Sequence, residues 1–187
     1  MIDLPTLCTA RVLLVPLGRQ HSAGMFVLWS SELVCRYSGV VSDVDGNIVS
    51  TPVDSMADSD LIIDFWIEAR RAGWGCRWAL ELCGTGEFVG AVGFNALGEV
   101  CEYAYHLTPA HWGRGLLHEA SKPVFEWASS VWGCREVVAV IDGSNDRSIS
   151  FAQRNGFDRI GPVGDGTDRY AKWIAPQRNS ASASGTA

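Results

Sequence analysis

Gly113 and Gly115 bracket Arg114 immediately ahead of an apolar run at helical spacing, Leu116, Leu117 and Ala120. Glycine admits the left-handed backbone that a tight turn needs and lets main-chain N–H groups come close to a ligand. A helix that starts there aims its unpaired N-terminal amides, and the positive end of its dipole, at the same spot. Such a loop can hold a pyrophosphate without a basic protein around it. A plain helix-capping turn would explain the glycines equally well, so the neighbouring residues must decide. Upstream, Glu102 to Pro109 reads as a strand running straight into the loop. Downstream lie a helix, the buried-strand run Val137 to Ile141, then Asn145-Asp146-Arg147-Ser148-Ile149 and Arg154-Asn155-Gly156-Phe157. Asn145 suits the N-cap of a following helix. His106, with a near-neutral pKa, is a candidate base, although alternation along the strand turns it to the face opposite Tyr105.

The elements that must position these groups follow from spacing. Arg11 to Leu17 reads as a first strand and His21 to Trp29 as a short helix. From Ser30 to Ser59 the pattern dissolves into Ser, Gly, Asp and Pro, and an irregular stretch of about thirty residues in a compact domain is often functional. Asp60 to Ala72 is predicted helical: Ile63, Trp66, Ile67 and Arg70 recur at three- and four-residue spacing, basic Arg70 and Arg71 lie in the last turn, and Gly73 ends it. Trp78, Leu80 and Leu82 alternate as in a strand, Gly84-Thr85-Gly86 makes a hairpin turn, and Phe88 to Phe94 returns. Asn95 to Gly98 is another turn and Val100 to Leu107 the next strand. This meander, followed by helix, strand, helix and strand, predicts an α/β chain (α+β) with a mixed sheet and not a doubly wound one. The helix after the glycine loop keeps Leu117, Ala120, Val124, Trp127, Ala128 and Val131 on one face. Pro123 removes its hydrogen bond to the Glu119 carbonyl, a loss of roughly 3 kcal/mol unless the helix bends, so a kink is expected. Residues 1–175 read as one domain without internal repeats, and the tail 176–187, lacking apolar content, as disordered.

Composition narrows the function classes. The chain of 187 residues is 47% hydrophobic and 19% charged, the balance of a globular domain with its own core. No apolar run nears the ~18 residues of a membrane span, and the start lacks the basic segment of a signal peptide, so a cytoplasmic location and no membrane partner are expected. Cys8, Cys35, Cys76, Cys83, Cys101 and Cys134 show no CxxC pairs and no nearby histidines. They read as small buried hydrophobes in a reducing compartment, with no metal and no disulfide framework. A net charge of −6 argues against nucleic acid and favours a cationic partner.

The order of these segments resembles the GNAT superfamily of N-acetyltransferases, in the branch that holds the ribosomal-protein acetyltransferases RimJ and RimL. The resemblance runs from about Thr9 to Trp173 and rests on L-x-P-x-x-W-G-R-G (Leu107 to Gly115) and N-x-x-S-I (Asn145 to Ile149) with the N-G-F ending. It implies a mainly antiparallel sheet flanked by helices, with a splayed strand pair that holds acetyl-CoA. It also implies direct acetyl transfer to an amine, which needs a proton acceptor, a donor to the thioester oxygen and a proton for the thiolate. The pyrophosphate would sit on the amides of Trp112, Gly113, Arg114, Gly115, Leu116 and Leu117. Trp112 and Leu117 depart from the usual Q/R-x-x-G-x-G/A pattern. Tyr105, His106 and Leu107 would line the pantetheine arm, an amide at or beside Leu107 would polarise the thioester, and Asn145 would contact the arm or cap its helix. Glu102 is the implied base, acting through water or with a raised pKa. Ser148 is the implied donor near the sulfur, because Ala152 stands where many family members carry an acidic tyrosine.

The acceptor is read from another cluster. Trp29, Trp66, Trp74 and Trp78 lie in sequence near Asp43, Asp45, Asp54, Asp58, Asp60 and Asp64. Aromatic walls with carboxylates suit a polycationic, sugar-like ligand, which makes Trp29, Asp64 and Trp78, with Glu102, the substrate-binding candidates. The resembled branch includes aminoglycoside N-acetyltransferases, kasugamycin-inactivating ones among them, so a small cationic amine of that antibiotic class, and a role in resistance, are expected. A protein N-terminal α-amine is the alternative, and a non-catalytic acetyl-CoA-binding module, motivated by Ala152 and Leu117, belongs to another class. A homodimer is left open.

Overall fold

The structure, a computed structural model, describes residues 1–174; the tail 176–187 expected to be disordered lies outside the described residues. Among the described residues ten strands and five α-helices run in the order β1 (Leu7–Cys8), β2 (Val12–Pro16), α1 (Ser22–Trp29), α2 (Glu32–Cys35), β3 (Val41–Ser42), β4 (Ile48–Val49), α3 (Met56–Ala72), β5 (Cys76–Leu82), β6 (Phe88–Ala96), β7 (Val100–Leu107), α4 (Leu116–Trp132), β8 (Glu136–Asp142), α5 (Asp146–Arg154), β9 (Asp158–Gly164) and β10 (Thr167–Trp173). Eight strands form one sheet in the order β1-β2-β5-β6-β7-β8-β10-β9. Every pairing is antiparallel except β7 with β8. The mixed α/β architecture, mainly antiparallel and flanked by helices, is the one expected.

Alternation along the strands builds two cores, one on each face of the sheet. On one face Val12, Leu14, Trp78, Leu80 and Phe94 meet the buried side of α4, through Ala120, Val124, Trp127 and Ala128. On the other, Ala79 and Ala91 lie under Met25 and Leu28 of α1 and Ile62 and Ile63 of α3. Small residues there let the helices lie close to the strands.

Four expectations need correction. The segment Ser30 to Ser59 is not structureless: it holds α2, the two-stranded β3–β4 hairpin and the first turn of α3. That helix begins at Met56, four residues earlier than its apolar spacing suggests, because the Ser55 hydroxyl accepts the Asp58 amide and caps it. Val131, placed on the apolar face of α4, is 61% exposed. Of the cysteines, only Cys76, Cys101 and Cys134 are buried; Cys8 and Cys83 are exposed, and all six are free thiols.

Candidate active site

The β7–β8 ladder is the structural event from which the site is built. It pairs only Val100 with Glu136, Cys101 with Val137 and Glu102 with Val138. Beyond that point, Tyr103–Leu107 and Ala139–Asp142 part company, while each stays bonded to its outer neighbour, β6 or β10. The parting opens a cleft of about 1430 Å³ that reaches both faces of the sheet.

On the α4 side the cleft is floored by the glycine loop. Gly113 (φ 72°) and Gly115 (φ 75°) both adopt the left-handed conformation, and Gly115 is the residue from which α4 starts. A Cβ on Gly113 would meet nothing within 4 Å, so the loop faces open space. The loop is held from behind by Arg11, which sequence reading passed over. Its guanidinium donates to the Arg114 carbonyl at 2.8 Å and to Glu119 Oε2 at 2.6 Å, and its amide donates to Glu119 Oε1. The front is held by Trp112, whose indole N–H donates to the Leu107 carbonyl at 2.8 Å while Arg147 lies over its ring. Trp112, Gly113, Gly115, Leu116, Leu117 and Asn145 line the cleft. The Arg114 side chain does not: it is exposed, and only its backbone belongs to the loop. Asn145 caps α5 by accepting the Ser148 amide at 3.2 Å.

At the parting itself stand Tyr105 and Ser148. The Tyr105 ring packs on Phe151 and Tyr103, and burial pushes its phenol up to about 12. Ser148 is near enough to restrain that rise, yet the phenol oxygen is buried without a hydrogen bond of ordinary geometry. A buried hydroxyl lacking a partner is uncommon and marks a group aimed at something else.

The opposite side of β7 presents Glu102, Ala104 and His106 to α1 and the segment after α2. The His106 ring lies 4.7 Å from Trp29 and its Nε2 is 3.2 Å from the Ser38 hydroxyl. Burial, aided by the positive charge of Arg77, pulls its pKa down to about 4, so the ring is neutral at pH 7. Glu102 is half-buried and lines the cleft. Its Oε1 accepts the Asn95 amide at 2.6 Å, and the Asn95 carbonyl accepts Arg77 Nη2. Asn95, expected in a turn, is instead the extra residue of a bulge in β6, where Phe94 pairs with Tyr103 and Ala96 with Glu102. Bulges re-aim side chains beside functional sites. Arg77 could have been noticed as a lone charge inside the apolar run Cys76 to Leu80.

Two substrate candidates fall outside this space. Trp78 is fully buried in the α4-side core, edge-on to Trp127 with its indole N–H given to the Pro5 carbonyl, because alternation turns it away from Arg77. Asp64 is bonded to the Arg19 guanidinium at 2.8 and 2.5 Å, and Arg19 also pairs with Asp60. None of the six aspartates read as an acidic wall lines the cleft; Trp29, Phe65 and Trp66 do. Among the described residues no cluster of His, Cys, Asp or Glu could hold a metal ion, and no helix is long and apolar enough to cross a membrane.

Comparisons with known proteins bear on the family and the fold. The sequence model of one family, described as the acetyltransferase (GNAT) domain, matches residues 11–158. A Bacillus subtilis protein described as the uncharacterized N-acetyltransferase YoaA is 26% identical over 160 residues, covering 84% of this chain and 85% of its own. The acetyltransferase of Agrobacterium tumefaciens has the same fold, with a TM-score of 0.70, 23% identity and coverage of 92% and 96% of the two chains. So has RimL, described as a ribosomal L7/L12 α-N-protein acetyltransferase in complex with coenzyme A, at a TM-score of 0.74, 18% identity and coverage of 91% and 98%.

Proposed function

This chain belongs to the GNAT family of acetyltransferases, and from that premise we propose that it moves an acetyl group from acetyl-CoA, by direct attack, to a primary amine. The observation that carries the reading is the parting of β7 from β8 with an unpartnered Tyr105 phenol on one side and Glu102 on the other. The residues present fit acetyl-CoA. The open loop at Gly113 and Gly115 and the N-terminus of α4 suit the pyrophosphate, and the backbone of Tyr105, His106 and Leu107, with Asn145 opposite, suits the pantetheine arm. Acetyl-CoA supplies the activated acyl group.

The protein's own groups divide the remaining work. Glu102 keeps one oxygen on Asn95 and offers the other, directly or through water, to the proton that the amine must lose. Tyr105 stays protonated up to about its raised pKa of 12, and with Ser148 beside it serves as the proton donor to the thiolate. It thereby fills the role left empty at Ala152. His106, neutral and enclosed, shapes the acceptor wall with Trp29 and carries no proton in the reaction.

For the acceptor, a small amine is the reading that the aromatic walls support. A polycationic aminoglycoside, and with it a role in antibiotic resistance, loses the support of the six aspartates from Asp43 to Asp64, which lie off the cleft while Arg77 lies on it. A protein N-terminal α-amine is the second reading. A cleft of about 1430 Å³ is larger than the ~300–1,000 Å³ of ordinary ligand pockets and leaves room for a chain beside the donor. Thiol release from acetyl-CoA, measured with aminoglycosides, simple amines, amino acids and N-terminal peptides, tests the reading. Turnover of small monoamines above aminoglycosides is expected; turnover of none of the four classes, with acetyl-CoA bound, would overturn it.

A further inference from the structure

Arg77 is a buried cation with no carboxylate in direct contact. It is 6% exposed, on the central strand β5, and lines the acceptor side of the cleft. Its guanidinium lies 3.5 Å from the centre of the Trp66 ring, donates to the Cys76 carbonyl at 2.9 Å and donates to the Asn95 side-chain oxygen. Each of these partners is neutral. Burial lowers its pKa to about 10, outweighing the opposing pull of Cys76, Tyr103 and the Glu102 carboxylate beyond Asn95. Buried charges are costly unless paired, and guanidinium is the side chain best shaped to grip a carboxylate with two parallel bonds.

The link to Glu102 fixes polarity. A guanidinium can only donate, so Asn95 must turn its oxygen to Arg77 and its NH2 to Glu102. One amide group therefore separates a positive from a negative side chain on the same wall of the cleft. A ligand carrying an ammonium and a carboxylate a few bonds apart presents the opposite pair of charges.

We propose that the acceptor is amino-acid-like: a primary amine whose neighbouring carboxylate is held by Arg77 while the amine lies against Glu102. Asn95 keeps the two side chains apart so that they do not neutralise each other. This rests on the reading of Glu102 as the group facing the amine.

The test compares matched acceptors. Phenylalanine, leucine and serine are each set against the corresponding amide and the amine lacking the carboxyl carbon. kcat/KM with acetyl-CoA is measured for each, together with calorimetric binding in the presence of coenzyme A. At least one free amino acid should exceed its amide and its amine by ~30-fold, the scale of hydrogen bonds to a charged group. Arg77→Lys should reduce that ratio severalfold and Arg77→Met should bring it near one. Equal use of amino acid and amide, or a ratio that survives both substitutions, would overturn the proposal. If Arg77→Met fails to fold, the wild-type ratio and Arg77→Lys decide. If none of the acceptors turns over, the Glu102 reading has failed, and binding decides the subsite alone. Carboxylate-dependent binding weakened in Arg77→Lys supports it, and its absence overturns it.

Discussion

The two sides of β7 are built by different means. The α4 side is made of backbone: two left-handed glycines, the first turn of a helix and the unzipped rims of two strands. The α1–α3 side is made of side chains brought from distant places, Arg77 from β5, Asn95 from a bulge in β6 and Trp29 from α1, converging on Glu102 and His106. A ligand part common to many reactions can be met by main-chain amides, which are the same whatever the sequence. A ligand part that distinguishes one reaction from another needs side chains, and those can change without disturbing the sheet.

Substitutions on each side should therefore separate binding of the donor from turnover of the acceptor. The largest effect is expected on the side-chain wall. Glu102→Gln should lower kcat by about 100- to 1,000-fold, within the span of general-base contributions, and leave acetyl-CoA affinity by calorimetry within about twofold. Gly115→Trp should do the reverse. It forces a bulky residue into a backbone at φ 75° beside Arg11 and should weaken acetyl-CoA by about 100-fold, and unchanged affinity would remove the pyrophosphate from this loop. Tyr105→Phe lies between the two sides and should cost about tenfold in kcat, since a thiolate leaves readily even unassisted. With the phenol pushed up to about 12, the wild-type rate should show no loss from this group up to pH 10.

The smallest effect is on stability. His106 has its pKa lowered from 6.5 to about 4 in the folded protein, so between those values the unfolded chain binds more protons. The contribution is present above pH 6.5 and is lost as pH falls toward 4, by about 2 kcal/mol between pH 7 and pH 4.5. Urea titrations of His106→Gln at pH 7 and pH 4.5 should show a gap between the two conditions smaller than that of the wild type by this amount.

The contrast between the sides also sets what could be read in advance. The glycine loop, the strand before it and the helix after it are contiguous in sequence, and local chemistry specified all three. Asn145 was legible for the same reason, since an N-cap is a contact over three residues. The Arg77, Asn95 and Glu102 chain joins three strands across a bulge, and no periodicity announces a bulge. Trp78 misled because proximity in sequence to Trp66 and Trp74 says nothing of which face of the sheet a residue takes; one position along β5 is enough to exchange cleft for core. Asp60 and Asp64 misled because their partner, Arg19, lies on a turn more than forty residues away. Arg11 escaped notice likewise, its carboxylate and carbonyl partners lying beyond six intervening strands.

The parting of β7 from β8 is also a pair of strand edges that open inward. Exposed edges invite pairing with a foreign chain, and the outer margins of this sheet are blunted against it: β1 is two residues long, and β9 carries Pro162 and two register shifts along its pairing. The inner margins carry no such defence. Tyr103–Leu107 and Ala139–Asp142 are apolar in part and free of proline. Their protection is positional, since each is flanked by a paired neighbour and roofed by α4 or α5, so that only a thin, single-chain ligand can lie between them. The fold thus keeps a template for strand addition where aggregation cannot reach it.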